Sequence, residues 1–423
     1  MDALEFEKNV NDAEYINYDL GENGEIVLSV HFQSCFYLWN GHTTEVRHAI
    51  ANCYTRYMAL WGEYITWGFD PLSNWKQKAF DRLPTLHDVL KKLSSPDDAI
   101  EWYVADGGCE NNEIDHANKF VFSVLTSRSW KIQEGSIVTF RIPRHLYFQE
   151  KSRKQILEFN QYCIEQLQPW YVVSGMQAAT PFSDSGIKFD LVSQARDFKG
   201  IYLEKVWDSV RMAYSIRSFD WLTYISGPLS EKVGGIKNLE NALKKARIKF
   251  EHLSSGLLVQ VTEHPELIPS GEEIPSNYLK FNNILRPMRD GNYGSMGDGT
   301  YLGENDQSFD IRLTDLWMRR FDFEYVWSDS ISLAKSRKPK SVVKLVSNQV
   351  CQISGRYRFE EDYDYIRNEP LPFEDDDSRE NDYRSYITLN KCDIAPYYLK
   401  LDQYGNLIER SEIAWTLFEE FNY

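Results

Sequence analysis

The stretch that decides the fold is residues 218–289, which read SFDWLTYISGPLSEKVGGIKNLENALKKARIKFEHLSSGLLVQVTEHPELIPSGEEIPSNYLKFNNILRPMR. Residues 219–225 are rich in aromatic and β-branched side chains, as a buried strand is, and a Gly-Pro step ends the run. After Gly234 and Gly235, apolar residues recur at helical spacing, and two alternating runs around a Ser-Ser-Gly turn follow. Residues 278–285 are again helical in pattern. The stretch therefore predicts a strand, a helix, a hairpin and a helix.

The same order of elements precedes this stretch. Apolar patterns predict strands over residues 25–39, 119–126, 136–142 and 170–176, and helices over 46–61 and 149–167. Strand, helix, hairpin and helix thus occur in both halves, with a sub-boundary near residue 180, which leaves an internal duplication into two similar halves open. The sequence predicts an α+β fold with mixed or antiparallel sheets and packed helices.

The composition changes near residue 328. The segment SDSISLAKSRKPKSVVK (residues 328–344) is polar and basic, which is typical of a linker. Short alternating runs separated by turn residues follow it up to residue 423 and predict a small all-β module. We expect an α+β domain over residues 1–328, a linker over 329–344 and a β-rich module over 345–423.

The charge of the chain limits its partners. Sixty-three acidic residues against 47 basic ones give a formal net charge of −16. Such a surface repels nucleic acid and anionic membranes and favours basic partners. The six cysteines are dispersed without a CxxC pair, the N-terminus lacks the pattern of a signal peptide, and no run approaches the ~20 apolar residues of a membrane span. We expect a cytoplasmic protein that binds neither nucleic acid nor membrane directly.

The residues that could carry chemistry do not form a known site. The eight histidines never appear at HxxxH or HExxH spacing, and His252 on an alternating strand is interpreted as an ordinary hydrogen-bonded histidine. Cys109 lies near His116, but its acidic neighbours disfavour a thiolate nucleophile. The Gly-rich residues 291–303 match neither phosphate-binding motif and predict a surface loop. We therefore predict no catalytic residue, metal site or cofactor, and no enzyme activity.

A series of short words links the chain to a known family. DWLTYISG, VGG, GLLVQVTEHPEL and YLKFNNILRPMR, in this order, resemble the type VI secretion immunity proteins that are paired with restriction-endonuclease-like (VRR-Nuc type) toxins. The resemblance covers about residues 25–327 through FYLWNGHTTEVRHAIANCYTRYMALWG, FVFSVLTSR, IVTFRIPRHLYF and LWMRRFD. It departs from the family pattern after Pro265, where this chain inserts IPSGEEIPS. Trp221, Gly234, Gly235 and Pro265 are motif positions, interpreted as structural, and Trp221 is expected to pack between its strand and the next helix.

The resemblance also implies a function. It implies an immunity protein that binds and neutralises a cognate toxin, a DNA-cleaving nuclease, by occluding its active site or basic DNA cleft. The acidic run Glu374, Asp375, Asp376 and Asp377 is either a solvated loop or the partner-binding decoy for that cleft. Two alternatives stay open. An enzyme with an unrecognised site predicts a deep pocket with several perturbed titratable groups. A general protein- or ligand-binding adaptor predicts an exposed aromatic patch without strong acidity.

Overall fold

The computed structural model describes two folded regions of the chain. The described residues are 7–8, 10, 28–107, 117–130, 135–182, 191–203, 215–269, 271–289, 314, 317–322, 335–337, 339–359, 363–364, 369–370, 386–389, 391, 395, 397–401 and 407–422.

The larger region is organised around one antiparallel sheet of ten strands. The strands are β1 Ser29–Leu38, β2 Trp67–Asp70, β3 Lys76–Ala79, β4 Glu101–Ala105, β5 Val121–Leu125, β6 Ser136–Pro143, β7 Tyr171–Ala179, β8 Leu222–Ser226, β9 Lys249–Leu253 and β10 Gly256–Gln260. Their order is β3-β2-β4-β5-β6-β1-β7-β8-β10-β9, and every neighbouring pair is antiparallel. The two longest pairings join β1 to β6 and to β7, so β1 lies at the centre.

Eight helices connect these strands in the described part of the larger region. They are α1 Thr44–Trp61, α2 Leu86–Lys92, α3 Arg144–Phe148, α4 Glu150–Leu167, α5 Leu191–Asp197, α6 Gly227–Ser230, α7 Ile236–Ala246 and α8 Ser276–Leu285. Local signals set their starts: the Thr43 hydroxyl accepts a hydrogen bond from the Val46 N–H, and Thr85 with Asp88 forms a capping box. Single 3-10 turns lie at Gly62–Tyr64, Pro71–Ser73, Phe80–Arg82, Glu231–Val233 and Arg286–Met288.

The two faces of the sheet have different cores. Successive side chains of β1 point to opposite faces. Phe32 and Phe36 belong to the cluster covered by α1 and α4, while Cys35 and Tyr37 belong to the cluster covered by α7 and α8. All ten residues of β1 are buried, as expected of a central strand covered on both faces, and they include the polar Ser29, His31, Gln33 and Ser34. Burying each large apolar side chain contributes roughly 1.5–3 kcal/mol.

The predicted α+β class is confirmed, and the two halves can now be compared. The predicted strand, helix, hairpin and helix of the first half are β1, α1, β5-β6 and α4, and those of the second half are β8, α7, β9-β10 and α8. The strand pairings correspond. β1 pairs with β6, the second strand of its hairpin, just as β8 pairs with β10, the second strand of its own. Both the order of the elements and this pairing therefore recur, although the first half carries β2, β3, α2 and β4 between its helix and its hairpin.

The smaller region is all β in its described part. Its strands are β11 Lys335–Arg337, β12 Lys344–Val346, β13 Gly355–Phe359, β14 Tyr363–Asp364, β15 Glu369–Pro370, β16 Tyr386–Leu389, β17 Tyr398–Leu401, β18 Leu407–Ser411 and β19 Ala414–Asn422. Five of them form a sheet in which β19 pairs with β11, β12 and β13, and β16 pairs with β13. A separate core lies on it, with Cys351, Tyr357 and Trp415 at its centre.

One segment of this region differs from the sequence-based expectation. Residues 335–337 were assigned to the linker, but they form β11 and pair with Lys335 opposite Asn422 and Arg337 opposite Glu420. The polar and basic composition of these residues is typical of a linker, but it is also compatible with an edge strand. An edge strand needs backbone pairing on one side only, and basic residues are common in such strands.

Candidate partner-binding site

Trp221 lies just before β8 and is only 2% exposed. Its ring meets Tyr147 edge-on at a centroid distance of 5.6 Å and Phe32 at 6.5 Å. Its indole N–H donates to the Thr262 carbonyl oxygen at 2.7 Å. These contacts belong to the core that α1 and α4 cover, whereas α7 packs on the other core. The expectation that Trp221 packs against the helix after Gly235 was therefore wrong about its partner.

Gly234 and Gly235 form the turn that leads into α7. Their φ angles are +87° and +91°, a region that favours glycine. A Cβ atom on Gly234 would lie 2.4 Å from Nδ2 of Asn238. The Gly235 carbonyl oxygen accepts the N–H of Leu239, which begins the hydrogen bonding of the helix. Both glycines therefore have a structural role, since they allow the backbone to turn into α7.

Pro265 is buried in the connection from β10 to α8. The insertion that follows it starts at Ile268 and is held by backbone pairing to residues 198–200. The Lys199 N–H donates to the Ile268 carbonyl oxygen at 3.0 Å, and the Gly200 N–H donates to the Leu267 carbonyl oxygen at 2.7 Å. The start of the inserted loop thus has a fixed place against the larger region.

Several candidates from the sequence lie outside the described residues. They are Glu374, Asp375, Asp376 and Asp377, together with Cys109, His116 and residues 291–303. His252 is described: its side chain is exposed on β9, with Nε2 at 3.8 Å from the Glu240 carboxylate. Within the described ranges, no group of three or more His, Cys, Asp or Glu side chains could hold a metal ion. The described helices include none that is long and apolar enough to cross a membrane.

A buried polar layer crosses the sheet on the face that carries α7 and α8. The Arg141 Nε donates to the Gln33 Oε1 at 2.8 Å, and the Gln33 Nε2 donates to the Gln177 Oε1 at 2.8 Å. The Arg141 Nη1 also donates to the Asn118 carbonyl oxygen at 3.0 Å. Burial lowers the pKa of the Arg141 guanidinium. The layer joins β6, β1 and β7 by hydrogen bonds in the interior.

Asp220 lies at the end of this layer and is 2% exposed. Its Oδ1 accepts the Trp221 N–H at 2.6 Å, while its Oδ2 has no partner among the described residues. Gly175 on β7 makes room for it, because a Cβ atom there would lie 2.2 Å from Oδ2. Burial raises the pKa of Asp220 well above its ordinary value, and the nearby Arg320 opposes this only in part. Burial also lowers the pKa of Arg320 to about 10.

Asp322 is a second buried carboxylate with the opposite behaviour. The Arg289 Nη2 donates to both of its oxygens, at 2.7 and 2.8 Å, and the Asn282 Nδ2 donates to Oδ1 at 2.7 Å. Burial alone would raise the pKa of Asp322, but Arg289, Arg319 and Arg286 together hold it below the ordinary value. This ion pair joins Arg289, four residues beyond the end of α8, to Asp322. Asp220 and Asp322 are both buried in the core, so their opposite pKa shifts follow from burial at Asp220 and from the neighbouring guanidinium groups at Asp322.

An exposed tryptophan lies on the surface, five residues beyond the C-terminal end of β5. Trp130 is 61% exposed, the second highest exposure among the large apolar side chains described as exposed. The Arg128 guanidinium lies 5.9 Å from the centroid of its ring. No pattern in the sequence predicted this, because tryptophan is usually well buried and the run TSRSW has no distinguishing period.

Comparisons with known proteins place the larger region in a family. A sequence profile described as type VI immunity for VRR-NUC matches residues 49–321. None of the curated proteins matches the chain. Among solved structures, a T6SS protein of Pseudomonas aeruginosa is similar over 75% of this chain and 90% of that chain, with a TM-score of 0.62 and 18% sequence identity. At that identity the likeness shows a shared fold.

The matched range begins within α1 and ends at Phe321, beyond α8. It therefore includes most of the ten-stranded sheet. It extends over well more than half of the chain. The resemblance first suggested by the words around Trp221 is thereby confirmed, and the chain belongs to the family of type VI immunity proteins for VRR-NUC.

Proposed function

We propose that this protein neutralises a VRR-NUC toxin by binding it in a stable, non-catalytic complex in the cytoplasm of the producing cell. The observation that carries the proposal is the family match over residues 49–321. Neutralisation needs only a tight interface that covers the active site or the DNA cleft of the toxin, and a slow dissociation rate. It requires neither a catalytic group nor a cofactor on this chain.

The charge of the chain supports an electrostatic part in this binding. A nuclease cleft must be basic to hold DNA phosphates, and this chain has a net charge of −16. We propose that the run Glu374, Asp375, Asp376 and Asp377 steers the chain toward that cleft. The run follows the family-matched range, in the β-rich part of the chain, which we propose is a separate folding unit with its own core around Trp415.

The first experiment tests the complex itself. The full chain is co-expressed with the toxin encoded beside it and purified through a tag on the toxin. The purified complex is then compared with free toxin in a DNA-cleavage assay. We expect stoichiometric co-purification, loss of cleavage and a buried interface of about 1,600 Å² or more. Free toxin activity in the presence of excess chain would overturn the proposal.

The second experiment tests the acidic run. All four residues are replaced by their amides (Glu374→Gln, Asp375→Asn, Asp376→Asn and Asp377→Asn), and association with the toxin is measured by surface binding at two salt concentrations. Because exposed charges are screened within about 8–10 Å at physiological ionic strength, we expect slower association, with the larger effect at low salt. Stability should not change, since exposed charges contribute little to it.

A matched control removes the same number of charges elsewhere. The control variant replaces four exposed glutamates of the larger region by glutamine: Glu150, Glu251, Glu263 and Glu273. If both variants associate equally fast, the run has no special role and only net charge matters. If neither differs from the unmodified chain at low salt, electrostatic steering is excluded and shape and apolar contact must account for binding.

A further inference from the structure

The segment that carries Trp130 is held rigidly at one end of the sheet. The Thr126 N–H donates to the Ile100 carbonyl oxygen at 2.9 Å, and the Ser129 N–H donates to the Pro96 carbonyl oxygen at 2.9 Å. The Ser127 N–H donates to the Ser136 hydroxyl at 2.7 Å. Residues 126–129 are thus fixed to the neighbouring strand connection and to the start of β6.

This rigid base presents an aromatic ring to solvent. Trp130 is 61% exposed, although burying its indole would be favourable. The Arg128 guanidinium lies near its ring. Tryptophan and arginine are the residue types most enriched among the few that dominate binding energy in protein interfaces. Because the backbone of residues 126–129 is already fixed, ordering this segment on binding costs little conformational entropy, and more of the contact energy is retained.

The charges around Trp130 indicate the kind of partner. The Ser129 hydroxyl donates to the Asp97 carboxylate, Asp98 follows it, and Glu101 interacts electrostatically with Arg128. The Asp98 carbonyl oxygen is held by the Arg47 guanidinium at 2.6 Å. The carboxylates of Asp97 and Glu101 thus interact with residues 128–129, directly before Trp130, and Asp98 adjoins Asp97 in the chain. A mixed aromatic and acidic surface complements a basic protein surface better than it complements nucleic acid or an anionic membrane.

We infer that Trp130, with Arg128 and the Asp97–Asp98–Glu101 carboxylates, is an anchor of the interface with the VRR-NUC toxin. The inference rests on the proposed function and adds to it a location within the family-matched region, separate from the acidic run at residues 374–377. The tryptophan inserts into an apolar depression of the toxin, and the carboxylates meet basic side chains around it.

The test compares two exposed aromatic residues at opposite ends of β5. Trp130→Ala is the test variant. The matched control is Tyr64→Ala, because Tyr64 is 45% exposed and stacks at 4.3 Å on Phe120, just before β5 begins. Both variants are first checked for unchanged thermal unfolding. The dissociation constant of the full chain with the purified toxin is then measured by titration.

We expect Trp130→Ala to weaken toxin binding by about thirty-fold or more, the effect of removing an interface anchor, and Tyr64→Ala to change it less than about threefold. Trp130→Phe should recover part of the affinity. Equal binding by the unmodified chain and Trp130→Ala would overturn the inference and leave the proposed function intact. Self-association of the chain that Trp130→Ala abolishes, with unchanged toxin binding, would overturn it too. Failure of the unmodified chain to bind the toxin would reject the proposed function itself.

Discussion

Trp221 and Trp130 belong to the same region but occupy opposite environments. Trp221 is 2% exposed and packs against Phe32 and Tyr147, whereas Trp130 is 61% exposed on a tethered segment. Trp221 lies in one of the words that carry the family resemblance, and Trp130 lies outside all of them. The word that contains Trp221 therefore marks the interior, whereas Trp130 lies two residues beyond the word FVFSVLTSR, which ends at the exposed Arg128. Recognising the family locates core residues and does not by itself locate a binding surface.

The strongest test of this comparison is truncation of the buried ring. Trp221→Ala should reduce the free energy of unfolding by about 3–5 kcal/mol, because it opens a large cavity and removes the hydrogen bond from the indole N–H to the Thr262 carbonyl oxygen. Urea unfolding followed by circular dichroism measures the loss. Trp130→Ala is the control and should stay within about 0.5 kcal/mol of the unmodified chain. A Trp221→Ala chain of normal stability that no longer binds toxin would place Trp221 in the interface.

The ion pair at Asp322 should have the next largest effect. Asp322→Asn removes the charge that Arg289 contacts through two hydrogen bonds and should cost about 3 kcal/mol, the lower end for breaking a buried pair, because asparagine keeps one acceptor. The folded-state pKa of Asp322 lies below its unfolded value. Its contribution is therefore fully present above about pH 4 and is lost as the pH falls through the folded pKa. Unfolding of both chains at pH 7 and pH 3 should show a gap that narrows in acid. A gap of constant size would mean that the charge of Asp322 contributes nothing.

Asp220 should give the smallest effect, with the opposite dependence on pH. Its folded-state pKa lies above the unfolded value, so the folded chain binds the extra proton and loses stability as the pH rises from about 4 toward that folded pKa. Asp220→Asn removes this slope and keeps the acceptor for the Trp221 N–H. We therefore expect the variant to be more stable relative to the unmodified chain at pH 7 than it is at pH 4. Parallel stability curves would show that Asp220 remains ionised beside Arg320.

The sequence predicted the elements better than it predicted their neighbours. Alternation and helical spacing are local, so β1, the β9-β10 hairpin and the helices α1 and α4 were confirmed near their expected bounds. The strand order depends on pairs such as Gln33 with Arg141 and Gly175, which are far apart in the chain and leave no local signal.

The buried surroundings of Asp220 could not be predicted from the sequence for the same reason. Asp220 stands in a quoted word, but Gly175, which makes room for it, and Arg320, whose charge acts on it, lie about 45 and 100 residues away along the chain. The partner of Trp221 was misjudged because a shift of one residue along an extended chain moves a side chain to the other face of the sheet. Trp130 could not be found from pattern at all, since exposure depends on the tertiary fold.

The ends of the ten-stranded sheet have a consequence for the behaviour of the chain at high concentration. β3 reads KQKA and β9 reads KFEHL, and each pairs with only one strand in the described sheet. An open sheet edge is a template on which further copies can stack into fibres. Lys76, Lys249 and Glu251 are exposed there, and a stacking copy would have to strip water from these charges. The charged residues at both edges of the sheet therefore oppose aggregation of the folded chain, even where the chain accumulates to a high concentration.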